Sequence, residues 1–215
     1  MKSQNPVTIN VLMATYNTPF IMSKRAIDSV LNQDFQDFEL IIIDDGSDFN
    51  TSSKLLEYGQ KFDNKISYFR HKNRGQSNSI NRGIKLCSSS FISIIDADDE
   101  YKPNHLSTCL KAMTSHDLIA THTDTIVNGF EDYYVPDKNN NDKNIHVDDC
   151  ILFATLFGKS EVFNQNFFQN KYAADSEFYE QASKNYKVAK LKTRTYIYYR
   201  NHFNSVTAKL KLSNA

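Results

Sequence analysis

No sign of charge dominates this chain: 25 Lys and Arg stand against 25 Asp and Glu in 215 residues, with no acidic or basic block. That balance argues against nucleic acid as the main partner, because a phosphate backbone is held by a basic excess. Cysteine is scarce. Cys87, Cys109 and Cys150 are odd in number, far apart and without a C-x-x-C pair, so neither a disulfide framework nor a zinc site is expected, and a reducing compartment fits. Nowhere do about 18 apolar residues run together. After Lys2 the N-terminus stays polar up to Val7 and builds no apolar signal core. The expectation is a cytoplasmic chain without a transmembrane segment, with peripheral attachment at a membrane face left open. Also absent are a G-x-G-x-x-G after the first apolar run, which a dehydrogenase would need, and the Gly-rich N-terminal phosphate loop of a sugar-nucleotide pyrophosphorylase. There is no internal repeat.

What is present is most pronounced at Asp96-Ala97-Asp98-Asp99, which ends the apolar run Phe91 to Ile95. Carboxylates this close repel one another. A hard, oxygen-seeking cation such as Mg²⁺ or Mn²⁺ neutralises them and keeps positions open for phosphate oxygens. The plainer alternative is a solvated loop after a strand.

At 24.8 kDa the chain is long enough for one sizeable core. Ile9 to Ala14 reads as a strand followed by the turn residues Thr15 to Pro19. Phe20, Ala26 or Ile27, Val30 and Leu31 then share one helical face. Phe38 to Ile43 is a near-continuous apolar run of the kind a parallel strand shows when both its faces are covered, and it stops at Asp44-Asp45-Gly46-Ser47. A helix over 52–62, a strand over 66–70, a helix over 76–87 and a strand over 91–95 follow. This alternation predicts a doubly wound, mainly parallel α/β sheet flanked by helices, with ligands beyond the carboxyl ends of the strands. The polar clusters at 15–17, 44–45 and 96–99 should therefore converge on one rim. Past Pro103, helices are expected near Leu106 to Met113 and over 175–185, and a strand over 118–123. Asp137 to Asn144 reads as an exposed flexible loop, Thr195 to Tyr199 as β-prone, and Asn201 to Ser205 as a polar loop.

Several segments together resemble the family 2 glycosyltransferases of GT-A fold. They are Val11 to Asn17, Ser29 to Phe35 with Phe38 to Ser47, Asn73-Arg74-Gly75 with Asn81 to Ile84, and Asp96-Ala97-Asp98-Asp99 with Pro103. The match covers the N-terminal half in order and spacing. The last third resembles the family loosely, through Ala174 to Phe178 and Tyr199 to His202. The resemblance implies a single GT-A, Rossmann-like domain over 1–215, divided into a nucleotide-sugar-binding half, 1–103, and a short, variable acceptor-side half, 104–215. It implies inverting transfer of a sugar from a nucleoside diphosphate donor, UDP in the first instance, to a hydroxyl of a glycan, lipid-linked or protein acceptor.

Such chemistry needs a face and hydrogen-bond partners for the nucleoside, a cation for the diphosphate, a base for the acceptor and exclusion of water. On the resemblance, Tyr16 packs against the base with Ala14, Thr15 and Asn17 around it. Asp45 accepts from a base N–H, with Asp44 as the alternative on the opposite side of the strand. Asp98 is expected to hold Mn²⁺ or Mg²⁺, Asp96 to reach the ribose or a metal-bound water, Ala97 to lie with them in the nucleotide-sugar site, and Asp99 to support either from behind. Arg74 adds positive charge near the phosphates, with a solvated role as the alternative; the same holds for Arg82. Asp175 is the expected base and Glu177 the runner-up, because Ala174 stands where the family often has Glu. His202 either closes over the diphosphate, ligates the metal, or is simply solvated. Against a haloacid-dehalogenase-like phosphatase, Thr15-Tyr16-Asn17 stand where its nucleophile would lie. A GT-A-like module that binds nucleotide sugar or a protein without turnover remains the alternative. Of the aromatics in the acceptor-side half, Tyr133, Tyr134, Phe153, Phe157, Phe167 and Phe168 are expected mostly in the core, with stacking on sugar rings as the other use.

Overall fold

The computed structural model describes residues 7–127, 133–138 and 140–200, the side chains of 140–142 excepted. Its first half alternates as the apolar runs require: β1 (Ile9–Thr15), α1 (Phe20–Leu31), β2 (Phe38–Asp44), α2 (Phe49–Gln60), β3 (Ile66–Arg70), α3 (Gln76–Leu86) and β4 (Phe91–Asp96). Then come β5 (Glu100–Tyr101), α4 (His105–Ala112), β6 (Leu118–Val127), β7 (Tyr134–Asp137), β8 (Asn140–His146), β9 (Leu156–Lys159), α5 (Ser160–Gln165), α6 (Ala174–Ala182) and β10 (Val188–Arg200).

Eight strands form one sheet in the order β3-β2-β1-β4-β9-β6-β10-β5. Strands β1 to β4 run parallel, β9 lies antiparallel to both β4 and β6, and β10 is parallel to β6. The period of two in each central strand explains the unbroken apolar runs. Val11, Met13, Leu40 and Ile42 feed one core with Ala26, Ile27, Val30 and Leu55 of α1 and α2. Leu12, Ile41, Ile43, Ile92 and Ile94 feed the other with Ile80 and Ile84 of α3, Phe163 of α5 and Phe178 of α6. The protein is thus a mostly parallel sheet between helical layers, as expected for a single GT-A domain. The strand order reverses between β1 and β4, the crevice where open α/β sheets bind ligands.

Helix α2 starts one turn earlier than its apolar pattern indicates, because Asp48 caps it: the Thr51 N–H donates to Asp48 Oδ1 at 2.9 Å. The expectation of a flexible loop at 137–144 is corrected. Strands β7 and β8 pair antiparallel there, Pro136 opposite Asn144 and Asp137 opposite Asn140. Backbone pairing holds this hairpin, so its polar sequence gave no alternation from which to infer a strand. Strands β5 and β9 and helix α5 were likewise not anticipated; the two strands have two and four residues, too few for a periodic signal. Cys87, Cys109 and Cys150 are all free. No helix among the described residues is long and apolar enough to cross a membrane.

Candidate active site

Strand pairing brings the three polar clusters to one rim. In the sheet register Thr15 lies beside Asp44, and Ala14 lies between Ile43 and Asp96. Just beyond, the Asp45 N–H donates to the Thr15 carbonyl at 2.8 Å. Asn17, held at φ 51°, stitches the β1 and β2 exits together. Its N–H donates to Ser47 Oγ at 2.9 Å, and its Oδ1 accepts from the Asp48 N–H at 2.8 Å. Tyr16 is left projecting, 53% exposed. Thr15 is buried, and its Oγ1 has no hydrogen-bond partner.

The two aspartates at the end of β2 point apart. Asp44 is fully buried, accepting from the Ser47 N–H at 2.7 Å and the Tyr68 hydroxyl at 2.5 Å, with Arg70 Nε 3.6 Å away. Asp45 instead grips the loop before α3: its Oδ1 accepts from the Arg74 N–H and its Oδ2 from the Gly75 N–H, each at 2.8 Å. The grip needs glycine on both sides. Gly46 (φ +87°) would place a Cβ 2.8 Å from the Asn73 nitrogen, and Gly75 (φ +89°) one 2.7 Å from Asn170 Oδ1. Asp45→Ala removes two charge-assisted bonds and strands two backbone donors, so a loss of about 2–4 kcal/mol is expected. Urea unfolding without nucleotide measures it; an unchanged midpoint would show that the loop holds itself.

Asp96 and Asp98 are half-buried and Asp99 is buried. Asp99 faces away from the rim and ties it to β10, accepting from the Tyr196 hydroxyl and, at 2.8 Å, from the Tyr199 N–H. Burial, then the charges of Asp98 and Asp96, hold its carboxyl well above the usual range. Arg25 clasps the same turn by donating to the Asp98 carbonyl, pairing with Glu100 at 3.1 Å and stacking on Tyr199 at 3.7 Å. Asp96 accepts from the Gln76 amide at 2.8 Å. Burial and the charges of Asp98 and Asp175 push its carboxyl up to about 7. The field of Asp175 therefore reaches the D-x-D turn from the far half of the chain.

Asp175 sits in the first turn of α6, just after Ala173, which holds the left-handed conformation at φ 56°. Its Oδ2 accepts from the Phe153 N–H at 3.1 Å and its Oδ1 from the Ser176 N–H at 2.8 Å. Desolvation outweighs these bonds and pushes the carboxyl up to about 6. Asp175 lines a cavity of about 430 Å³ that Gln76 borders on the D-x-D side. Glu177 does not line it and pairs instead with Lys171 at 2.9 Å. The Arg74 and Arg82 side chains are exposed. His202 lies outside the described residues. Among the aromatics, Phe157 and Phe168 are buried, Tyr134 and Phe167 are exposed, and Phe153 lines the cavity.

Among the described residues no group of three or more His, Cys, Asp or Glu converges as a metal cage. The D-x-D turn nonetheless fits a hard cation: its donors are carboxylate oxygens only, and the hydrogen-bond partner of Asp96 is an amide rather than a positive charge. Gln76 and Arg25 were missed in the sequence, as was the bond from the Phe153 N–H to Asp175, since Phe153 is named there only as an aromatic ring. Gln76 directly follows Asn73-Arg74-Gly75, so its position was the one available signal; the other two act through contacts 73 and 22 residues away.

A mostly parallel sheet between helical layers, with its polar loops gathered at the switch point, is the architecture of the GT-A fold. Glycosyl transferase family 2 matches residues 10–204, and the chain belongs to that family. An uncharacterised glycosyltransferase of Rickettsia bellii is 32% identical over 166 residues, 74% of this chain and 24% of that protein. The GalNAc(5)-diNAcBac-PP-undecaprenol beta-1,3-glucosyltransferase of Campylobacter jejuni is 36% identical over 105 residues, 48% of this chain and 33% of that protein. The chain thus spans about a quarter to a third of the length of these relatives. Among solved structures, S. aureus TarS in complex with UDP-GlcNAc superposes with a TM-score of 0.73 at 18% identity, over 94% of this chain and 60% of that one. The mannosyltransferase PcManGT from Pyrobaculum calidifontis, in complex with GDP-Man and Mn²⁺, gives 0.72 at 13%, over 98% and 61%. At those identities the likeness is one of fold.

Proposed function

We propose that this chain transfers a sugar, with inversion, from a nucleoside diphosphate donor, UDP in the first instance, to an acceptor hydroxyl, using residues 1–103 for the donor and 104–215 for the acceptor. The observation that carries the proposal is Asp175: a half-buried carboxylate lining a cavity that is also lined by Gln76, whose amide bonds Asp96 of the D-x-D turn. The acceptor hydroxyl gives its proton to Asp175 while its oxygen bonds the anomeric carbon. The anomeric C–O bond breaks with its electron pair leaving on the diphosphate. One carboxylate suffices, since attack and departure occupy opposite faces.

Tyr16 supplies a face for the base, Ala14, Thr15 and Asn17 line its approach, and Asp45 keeps lone pairs for a base N–H besides the two it commits to the loop. Asp98, with Asp96 and Ala97 beside it, would hold Mn²⁺ or Mg²⁺, and His202 would add a ring nitrogen. A cation there supplies Lewis-acid stabilisation of charge on the departing diphosphate. Arg74 is placed to add positive charge. The printed names of relatives support the class of donor and acceptor: UDP-GlcNAc is bound by TarS, and an undecaprenol-linked glycan is named for the Campylobacter protein. Support for Asp175 over Glu177 comes from the cavity, which only the former lines.

Release of nucleoside diphosphate from UDP-, GDP- and dTDP-sugars, with and without Mn²⁺, tests the proposal. Metal-stimulated release from at least one donor is expected. Donor binding without release would favour a non-catalytic module, a reading supported by Ala174 standing buried at the start of α6 where the family often has Glu.

The pH profile adds a second test. A base must be ionised, so kcat/KM should climb as pH rises through about 6 and then level. The shift also acts on stability. Because the folded carboxyl holds its proton more tightly than the unfolded one, its contribution is full below the ordinary value of 3.8 and is lost as pH rises through about 6. Activity should therefore increase across the interval in which this group's stabilisation declines. An acid limb that is the same in Asp175→Glu and wild type would point to another base.

A further inference from the structure

The cavity beside Asp175 is walled by the β7–β8 hairpin, the segment around Phe153, the turn before α6 and Tyr198 of β10. Two contacts strap the hairpin across it: the Tyr172 hydroxyl donates to the Pro136 carbonyl at 2.7 Å, and Lys138 pairs with Glu180. Its interior combines aromatic faces, from Phe153, Tyr172 and Tyr198, with aliphatic walls. Its charge is one-sided. Four carboxylates line it, Asp137, Asp149, Asp175 and Glu180, against two ammonium groups, Lys138 and Lys171. Both ammonium groups already face carboxylates, Glu180 for Lys138 and Glu177 for Lys171. Lys190 and Arg200 of β10 donate to the carbonyls of Cys150 and Tyr134 and do not line the cavity.

We propose that this cavity is the acceptor subsite and that it takes an uncharged sugar, the neutral terminus of a glycan, while rejecting rings that carry a carboxylate or phosphate. The inference rests on the transfer function proposed above. The C–H face of a pyranose packs on an aromatic ring, and its hydroxyls donate to carboxylates. About 430 Å³ falls within the size of small-ligand sites. An anionic ring would meet like charges and would have to displace Glu180 or Glu177 to reach a lysine. The reacting hydroxyl then lies at Asp175, which takes its proton as the oxygen bonds the anomeric carbon and the diphosphate departs with the bonding pair.

Saturation-transfer NMR on the whole chain with UDP present, using methyl glycosides of glucose, galactose and N-acetylglucosamine beside methyl glucuronoside and glucose 6-phosphate, reads acceptor binding without turnover. At least one neutral glycoside should bind, and the two anions should bind about tenfold more weakly or not at all. The Asp149→Asn/Glu180→Gln double variant removes two negative charges from exposed positions and releases Lys138. It should admit glucose 6-phosphate at an affinity near that of the neutral ring, with an unaltered circular dichroism spectrum. Anions binding as tightly as neutral sugars to the wild type, or no panel member binding, overturns the inference, as does a double variant with the same discrimination. Calorimetry of UDP binding, run separately, tests the donor function: if UDP fails to bind while neutral glycosides do, the transfer proposal falls, the acceptor role falls with it, and the cavity stands only as a site for neutral sugars.

Discussion

Asp175→Asn is expected to keep donor affinity and to lower kcat by about a hundredfold to ten-thousandfold, the range a positioned general base contributes. The substitution is conservative where the fold is concerned. An asparagine carbonyl can still accept from the Phe153 N–H, which now bonds Asp175 Oδ2 at 3.1 Å, so the turn before α6 should keep its place. What is lost is the carboxylate's capacity to take a proton. Calorimetry with a UDP-sugar and a coupled nucleotide-release assay separate the two effects. Weakened donor binding with normal turnover of the bound fraction would mean that Asp175 belongs to the donor side. Glu177→Gln serves as the comparison: its carboxylate pairs with Lys171 and does not itself line the cavity, so turnover should stay within a few tenths of a log unit.

Asp98→Ala should abolish the Mn²⁺-dependent part of donor binding, raising Kd by at least about tenfold, or about 1.4 kcal/mol, in Mn²⁺ and leaving Kd unchanged in chelator. The fold is expected to survive. The turn is held from behind by Asp99, through Tyr196 and Tyr199, and by Arg25 on the Asp98 carbonyl, none of which uses the Asp98 side chain. Asp99→Ala should behave in the opposite way. It leaves the Tyr199 N–H and the Tyr196 hydroxyl without their acceptor in a buried place, so its main cost is stability. If Asp98→Ala retained its Mn²⁺ response, the metal would have to be held elsewhere.

The local and the long-range parts of the site differ in how legible they were. Tyr16, Asp45 and Asp96 to Asp99 could be placed from the chain because each follows an apolar run, and a parallel sheet sends every such exit to one edge. The β7–β8 hairpin, by contrast, was read as a loop. Its register depends on backbone pairing, and its Asn-rich sequence carries no apolar alternation to announce a strand. The cavity was equally hidden, since its walls come from the hairpin, from 149–153, from 171–176 and from Tyr198, segments that show no common pattern in the chain.

Periodicity and strand-end chemistry thus sufficed to determine a doubly wound sheet and the rim on which its polar loops gather, because alternation with a period of two or 3.6 is written residue by residue. Only the tertiary structure decided that Asp45 holds the loop of Arg74 and Gly75, that Asp175 and not Glu177 borders the cavity, and that Asp96 feels Asp175 from 79 residues away. Those relations depend on distance and desolvation between segments remote in sequence, and neither quantity exists until the chain is packed.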